Sequence, residues 1–143
     1  MAFQFSLESL LRLRRSQQRQ QEILVQKEND RVRQLIRELE VIGNEFALVA
    51  ANGGTSLDLR GAELQFDNSR RLVLGERFVR TAGLLQQAQE RQVLLAAELH
   101  SMWQLREVLE ILRQHELRAH AIEEGRREQR RQDDLFLLRK QKR

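Results

Sequence analysis

The sequence predicts an all-α chain: a long two-helix antiparallel coiled-coil hairpin with an overhanging C-terminal helix. Three observations carry that prediction. Positions spaced alternately four and three residues apart run without a slip from Leu7 to Val49, proline is absent, and Asn52-Gly53-Gly54 interrupts the pattern once. A 3.5-residue repeat keeps one stripe of a helix against a partner helix. Proline would remove a helical hydrogen bond and clash with the preceding turn, so its absence permits very long helices.

The first helix is expected over about residues 6–51. Ser6 is a good N-cap residue, Phe5 before it is placed to pack on Leu10, and Glu8 brings a negative charge to the positive end of the helix dipole. The seam then reads Leu7, Leu11, Arg14, Gln18, Gln21, Val25, Glu28, Val32, Leu35, Leu39, Ile42, Phe46 and Val49. Three successive polar positions, Arg14, Gln18 and Gln21, predict a loosely packed stretch, because buried polar groups cost stability unless satisfied. Glycine closes helix C-termini by adopting the left-handed conformation, which makes Asn52-Gly53-Gly54 the expected stop.

The turn is expected over about residues 52–58, with Thr55, Ser56 and Asp58 all able to cap the second helix. That helix should run over about residues 58–138. Its seam reads Leu74, Phe78, Thr81, Leu85, Ala88, Gln92, Leu95, Leu99 and Met102, then resumes out of phase at Leu105, Leu109 and Leu112. A three-residue slip of that kind overwinds a coiled coil locally. A turn near Gly54 pairs residues whose numbers sum to about 110, setting Leu7 near Trp103. Roughly thirty residues of the second helix then project past the N-terminus. The whole chain, 1–143, reads as a single hairpin.

Composition narrows the chemistry. Without cysteine there are no disulfides, thiolate metal sites or cysteine nucleophiles. No uniformly apolar run approaches the ~20 residues that cross a bilayer, and no basic segment precedes an apolar core at the N-terminus, so neither a transmembrane segment nor a secretory signal is expected. His100, His115 and His120 lack the spacing that places ligands on one helix face. Gly53-Gly54 lacks the lysine of a phosphate loop, and Asp133 and Asp134 point in different directions on a helix. No enzyme activity, cofactor or metal is expected.

Charge and exposed apolar residues say more. The net charge of +4 comes from the tail, where Arg126, Arg127, Arg130, Arg131, Arg139, Lys140, Lys142 and Arg143 outweigh Glu128, Asp133 and Asp134. Cations there complement a helix C-terminus or meet an acidic protein surface, nucleic acid or anionic lipid. Leu135-Phe136-Leu137-Leu138 lies amid this charge, and Phe46, Leu57, Leu59 and Phe66 flank the turn. Apolar side chains that a two-helix tip cannot bury suggest a contact surface.

The two ends together resemble the FliJ family of the bacterial flagellar export apparatus. At the N-terminus the resemblance rests on Phe3-Gln4-Phe5-Ser6-Leu7 followed by Leu10, Leu11, Leu13 and Arg14. At the C-terminus it rests on the run from Glu123 to Asp134, with Arg127-Glu128-Gln129 and then Asp133-Asp134. Gln132 stands where the family more often has an apolar residue, and Asp134 where it has glutamate. The resemblance implies a non-enzymatic stalk, cytoplasmic and peripheral at the inner face of the inner membrane, that supports flagellum biogenesis and motility. Its implied partners are the hexameric export ATPase, whose ring it enters, assembles and stimulates, the membrane export gate protein, and export chaperones. On that reading Arg126, Arg127, Arg130 and Arg131 contact the ring, and Leu39, Ile42, Phe46 and Phe66 present the tip to the gate. Two other classes stay open: a scaffold whose overhang pairs with another copy, and an RNA-binding hairpin. Against nucleic acid stand the small basic surplus and the absence of tyrosine for base stacking.

Overall fold

A computed structural model describes residues 2–53 and 61–142. Two helices account for nearly all of them: α1, Glu8–Gly53, and α2, Gly61–Gln141. They pack against each other, and there is no strand among the described residues. Both helices follow from straight, helix-favouring side chains and from the absence of proline.

The start of α1 differs from the expected serine cap. The Leu7 carbonyl accepts the first helical bond, from the Leu11 N–H at 2.9 Å, and the Phe5 carbonyl accepts the Glu8 N–H at 3.1 Å. A tight backbone turn thereby satisfies a helix-start donor that a serine hydroxyl would otherwise take. Phe5 is buried, whereas Leu10 is partly exposed. At the other end α1 continues through Gly53, and no described glycine has positive φ, so Gly53 is still helical. The readings placed on Gly54, Thr55, Ser56, Leu57, Asp58 and Leu59 lie outside the described residues.

The chain groups into two compact units, one of Gln21–Leu99 and one of Met1–Gln20 with His100–Arg143. In the first, every α1 seam position from Gln21 to Val49 is buried or half-buried except Phe46. One apolar cluster joins Val32, Leu35 and Ala88, with Leu85 against it; another joins Ile42, Val49 and Leu74. Polar seam residues have partners of their own. The Gln21 amide donates to the Leu95 carbonyl at 3.2 Å and to Glu98 Oε2 at 3.1 Å, and the Gln92 amide donates to Asn29 Oδ1 at 2.6 Å. Gln21 is thus buried and satisfied, which corrects the expectation of a loose stretch at that position.

In the unit of Met1–Gln20 with His100–Arg143, Leu11 is fully buried and Phe5 nearly so. The slip expected after Met102 does not occur. Burial recurs at Met102, Arg106, Leu109, Arg113, Glu116, His120 and Glu123, in unbroken four-three spacing, while Leu105 and Leu112 are exposed. The expected register is corrected as well: Glu8 meets Arg113, nearly three helical turns further along α2 than Trp103. The uncovered part of α2 is shorter than expected, running from Gly125 to its end at Gln141. Non-helical residues 2–5 bring Phe3 up to His120, because non-helical chain covers more distance per residue than a helix.

Candidate functional site

The C-terminal stretch of α2 is helical through Gln141 yet has no covered side chain from Gly125 onward among the described residues. It is held as a helix by its own backbone and by charge pairs along its surface. Arg127 lies 3.7 Å from Glu123 and 3.5 Å from Glu124, and Arg131 lies 3.9 Å from Glu128. Spacings of three and four bring such pairs together on a helix, each contributing a few tenths of a kcal/mol. Arg126 and Arg130, one turn apart on a single face, form no ion pair with described residues. Of the four arginines singled out in the sequence, these two therefore offer open cationic groups, and Arg127 and Arg131 are already engaged. All four are exposed.

At the base of this stretch is a polar cluster that sequence reading missed. Arg15 donates to Glu110 Oε1 from Nε at 2.9 Å and from Nη2 at 2.6 Å. Arg113 Nε donates to Glu8 Oε2 at 3.1 Å, and the Arg113 guanidinium lies 5.8 Å from the centre of the Phe3 ring. On the other side, Phe3 meets the His120 ring edge-on at 5.6 Å. The two contacts place an aromatic side chain from outside the helices between a cation and an imidazole on α2. Carrying the four-three spacing past Met102 would have found Arg106, Arg113 and His120; following the leucines led away from them.

The residues proposed for tip contact separate in the structure. Ile42 is 2% exposed and belongs to the core with Val49 and Leu74, so its side chain is not presented at the surface. Leu39 is half-buried. Phe46 is 44% and Phe66 68% exposed, and no ring contact joins them. Phe46 instead edges an apolar groove of about 390 Å³ with Ile42, Gly43, Gly75, Phe78 and Val79. The groove exists because a side chain is missing on each helix: a Cβ added at Gly43 or Gly75 would meet nothing within 4 Å.

No grouping of histidine and carboxylate side chains able to hold a metal ion occurs among the described residues. His100 stacks on Trp103 at 6.1 Å and lies 3.2 Å from Gln104. No described helix is long and apolar enough to cross a membrane. The arrangement offers contact surfaces: an exposed charged helix, a cation-aromatic cluster beneath it, and a separate apolar groove. Comparison with protein-family models finds no matching family, and comparison with curated proteins and with solved structures finds no match.

Proposed function

We propose that this protein is a non-enzymatic component of a bacterial flagellar type III export apparatus. In this reading the two helices form an antiparallel coiled-coil hairpin at the cytoplasmic face of the inner membrane. The charged end of α2 docks in the ring of the hexameric export ATPase and promotes its assembly and activity. The protein also links that ring to the export gate and to substrate chaperones. The observation that carries the reading is the helical stretch from Gly125 to Gln141, which is exposed throughout and bears Arg126 and Arg130 without ion-pair partners among the described residues. Open cations on a preformed helix bind acidic surfaces with little ordering cost. The sequence resemblance at both ends supplies the partner.

The test is steady-state ATP turnover by the export ATPase in the presence of the protein. Wild type should stimulate turnover, and the double change Arg126→Glu, Arg130→Glu should abolish stimulation, because attraction becomes repulsion at the contact. Neither arginine holds an ion pair with the described residues, so circular dichroism of the variant should match wild type. Undiminished stimulation by a folded variant removes the docking role of this face.

A further inference from the structure

Between Asp133 and Lys140 the exposed helix carries a charge pattern that is its own complement. Two acids, Asp133 and Asp134, precede one complete apolar turn, Leu135 to Leu138, and two bases, Arg139 and Lys140, follow it. At 100° per residue, four successive apolar side chains ring the helix rather than forming a stripe. They are 55–66% exposed, and nothing among the described residues covers them. Neither aspartate, nor Arg139, nor Lys140 takes part in an ion pair with the described residues, although Arg130 precedes Asp134 by one turn.

We propose that Asp133–Lys140 is a self-docking segment through which two copies of this chain pair antiparallel about a two-fold axis between Phe136 and Leu137. In that arrangement the face formed by Asp133, Phe136, Leu137 and Lys140 meets its own copy: Asp133 of each chain lies against Lys140 of the other, and Phe136 and Leu137 meet at the centre. Two symmetric Asp133–Lys140 pairs form, while Asp134 and Arg139 flank the contact and set the charge at its edges. Parallel pairing sets acid against acid and base against base, so the charges select the orientation as well as the partner. The contact is isologous and closes on itself, giving dimers rather than filaments. Only two apolar side chains per chain, Phe136 and Leu137, are buried, which makes the association weak and concentration-dependent. An anionic membrane fits less well. Its surface attracts Arg139 and Lys140 but repels the adjoining aspartates. This inference stands independently of the export reading.

Sedimentation equilibrium of the full chain tests it, over about 10 µM to about 1 mM at low salt. Wild type should shift from monomer towards dimer. An all-basic variant (Asp133→Lys, Asp134→Arg) and an all-acidic variant (Arg139→Asp, Lys140→Asp) should each self-associate at least about tenfold more weakly. Mixed in equal amounts, the two should recover dimer, since each supplies the charges that the other lacks. Wild type that stays monomeric throughout this range overturns the proposal. So does self-association that is equal in all three proteins, or a mixture no more dimeric than its components. Monomeric wild type that pelletes with vesicles of phosphatidylcholine and phosphatidylserine would assign the segment to lipid and overturn it equally.

Discussion

Arg15 holds Glu110 through two donors, Nε at 2.9 Å and Nη2 at 2.6 Å, both directed at the same carboxylate oxygen across the α1–α2 contact. Both side chains are only partly covered, so solvent screens part of the attraction. A double-mutant cycle with Arg15→Ala and Glu110→Ala should give a coupling of about 0.5–1 kcal/mol by urea unfolding. A cycle that closes with no coupling would show that the pair merely tolerates proximity.

Glu28 should be the weak point of the Gln21–Leu99 unit. Its carboxylate is buried in the seam, Oε1 has no hydrogen-bond partner among the described residues, and Arg91 approaches Oε2 only to 4.0 Å. Glu28→Leu exchanges a poorly satisfied buried acid for an apolar group at a core position. It should raise stability by about 1–2 kcal/mol. A lower melting temperature would mean that the carboxylate is satisfied in solution.

Ile42 and the two phenylalanines should part company on truncation. Ile42→Ala removes a core group shared with Val49 and Leu74 and should cost about 2–4 kcal/mol. Phe46→Ala and Phe66→Ala leave exposed positions and should each cost less than about 1 kcal/mol. If either phenylalanine contacts an export gate, its alanine variant should impair export while keeping its fold, which Ile42→Ala cannot do cleanly.

Gly75 is a helix-interior glycine with ordinary backbone geometry and open space where a Cβ would lie. Gly75→Ala should therefore stabilise by about 0.5–1 kcal/mol, through helix propensity and a narrower unfolded ensemble. It should also narrow the groove beside Phe46 and Phe78. Destabilisation in thermal unfolding would point to a closer approach of the helices than the structure has.

The α1 seam was legible because its apolar members recur at the spacing that burial requires, and its four polar members fall in phase with them. Beyond Met102 the same rule applies, but the covered positions hold Arg106, Arg113, Glu116 and His120. Long charged side chains pack their stems and direct their heads to partners, so hydropathy hides them. Leu105 and Leu112 drew the reading off phase because exposed leucines look like core in a sequence. Register was illegible for a different reason: it depends on where the chain reverses, and several residues after Gly53 offer equivalent turn chemistry. Among the candidate site residues, the tail arginines are exposed as their surroundings suggest. Ile42 was assigned to a surface although its own seam position marks it as core.

The hydrogen-bonded polar residues of the Gln21–Leu99 unit bear on how the two helices respond to being pulled past each other. Leucine against leucine is a contact without an address, and a slide of one heptad would exchange one such neighbour for another at small cost. The Gln21 bond to the Glu98 carboxylate and the Gln92 bond to Asn29 have no equivalent one heptad away, where α2 offers Arg91 or Leu105 for Glu98 and Leu85 or Leu99 for Gln92. Under axial tension these must break before the apolar residues can trade partners, which makes the pair resistant to shear and fixes its working length.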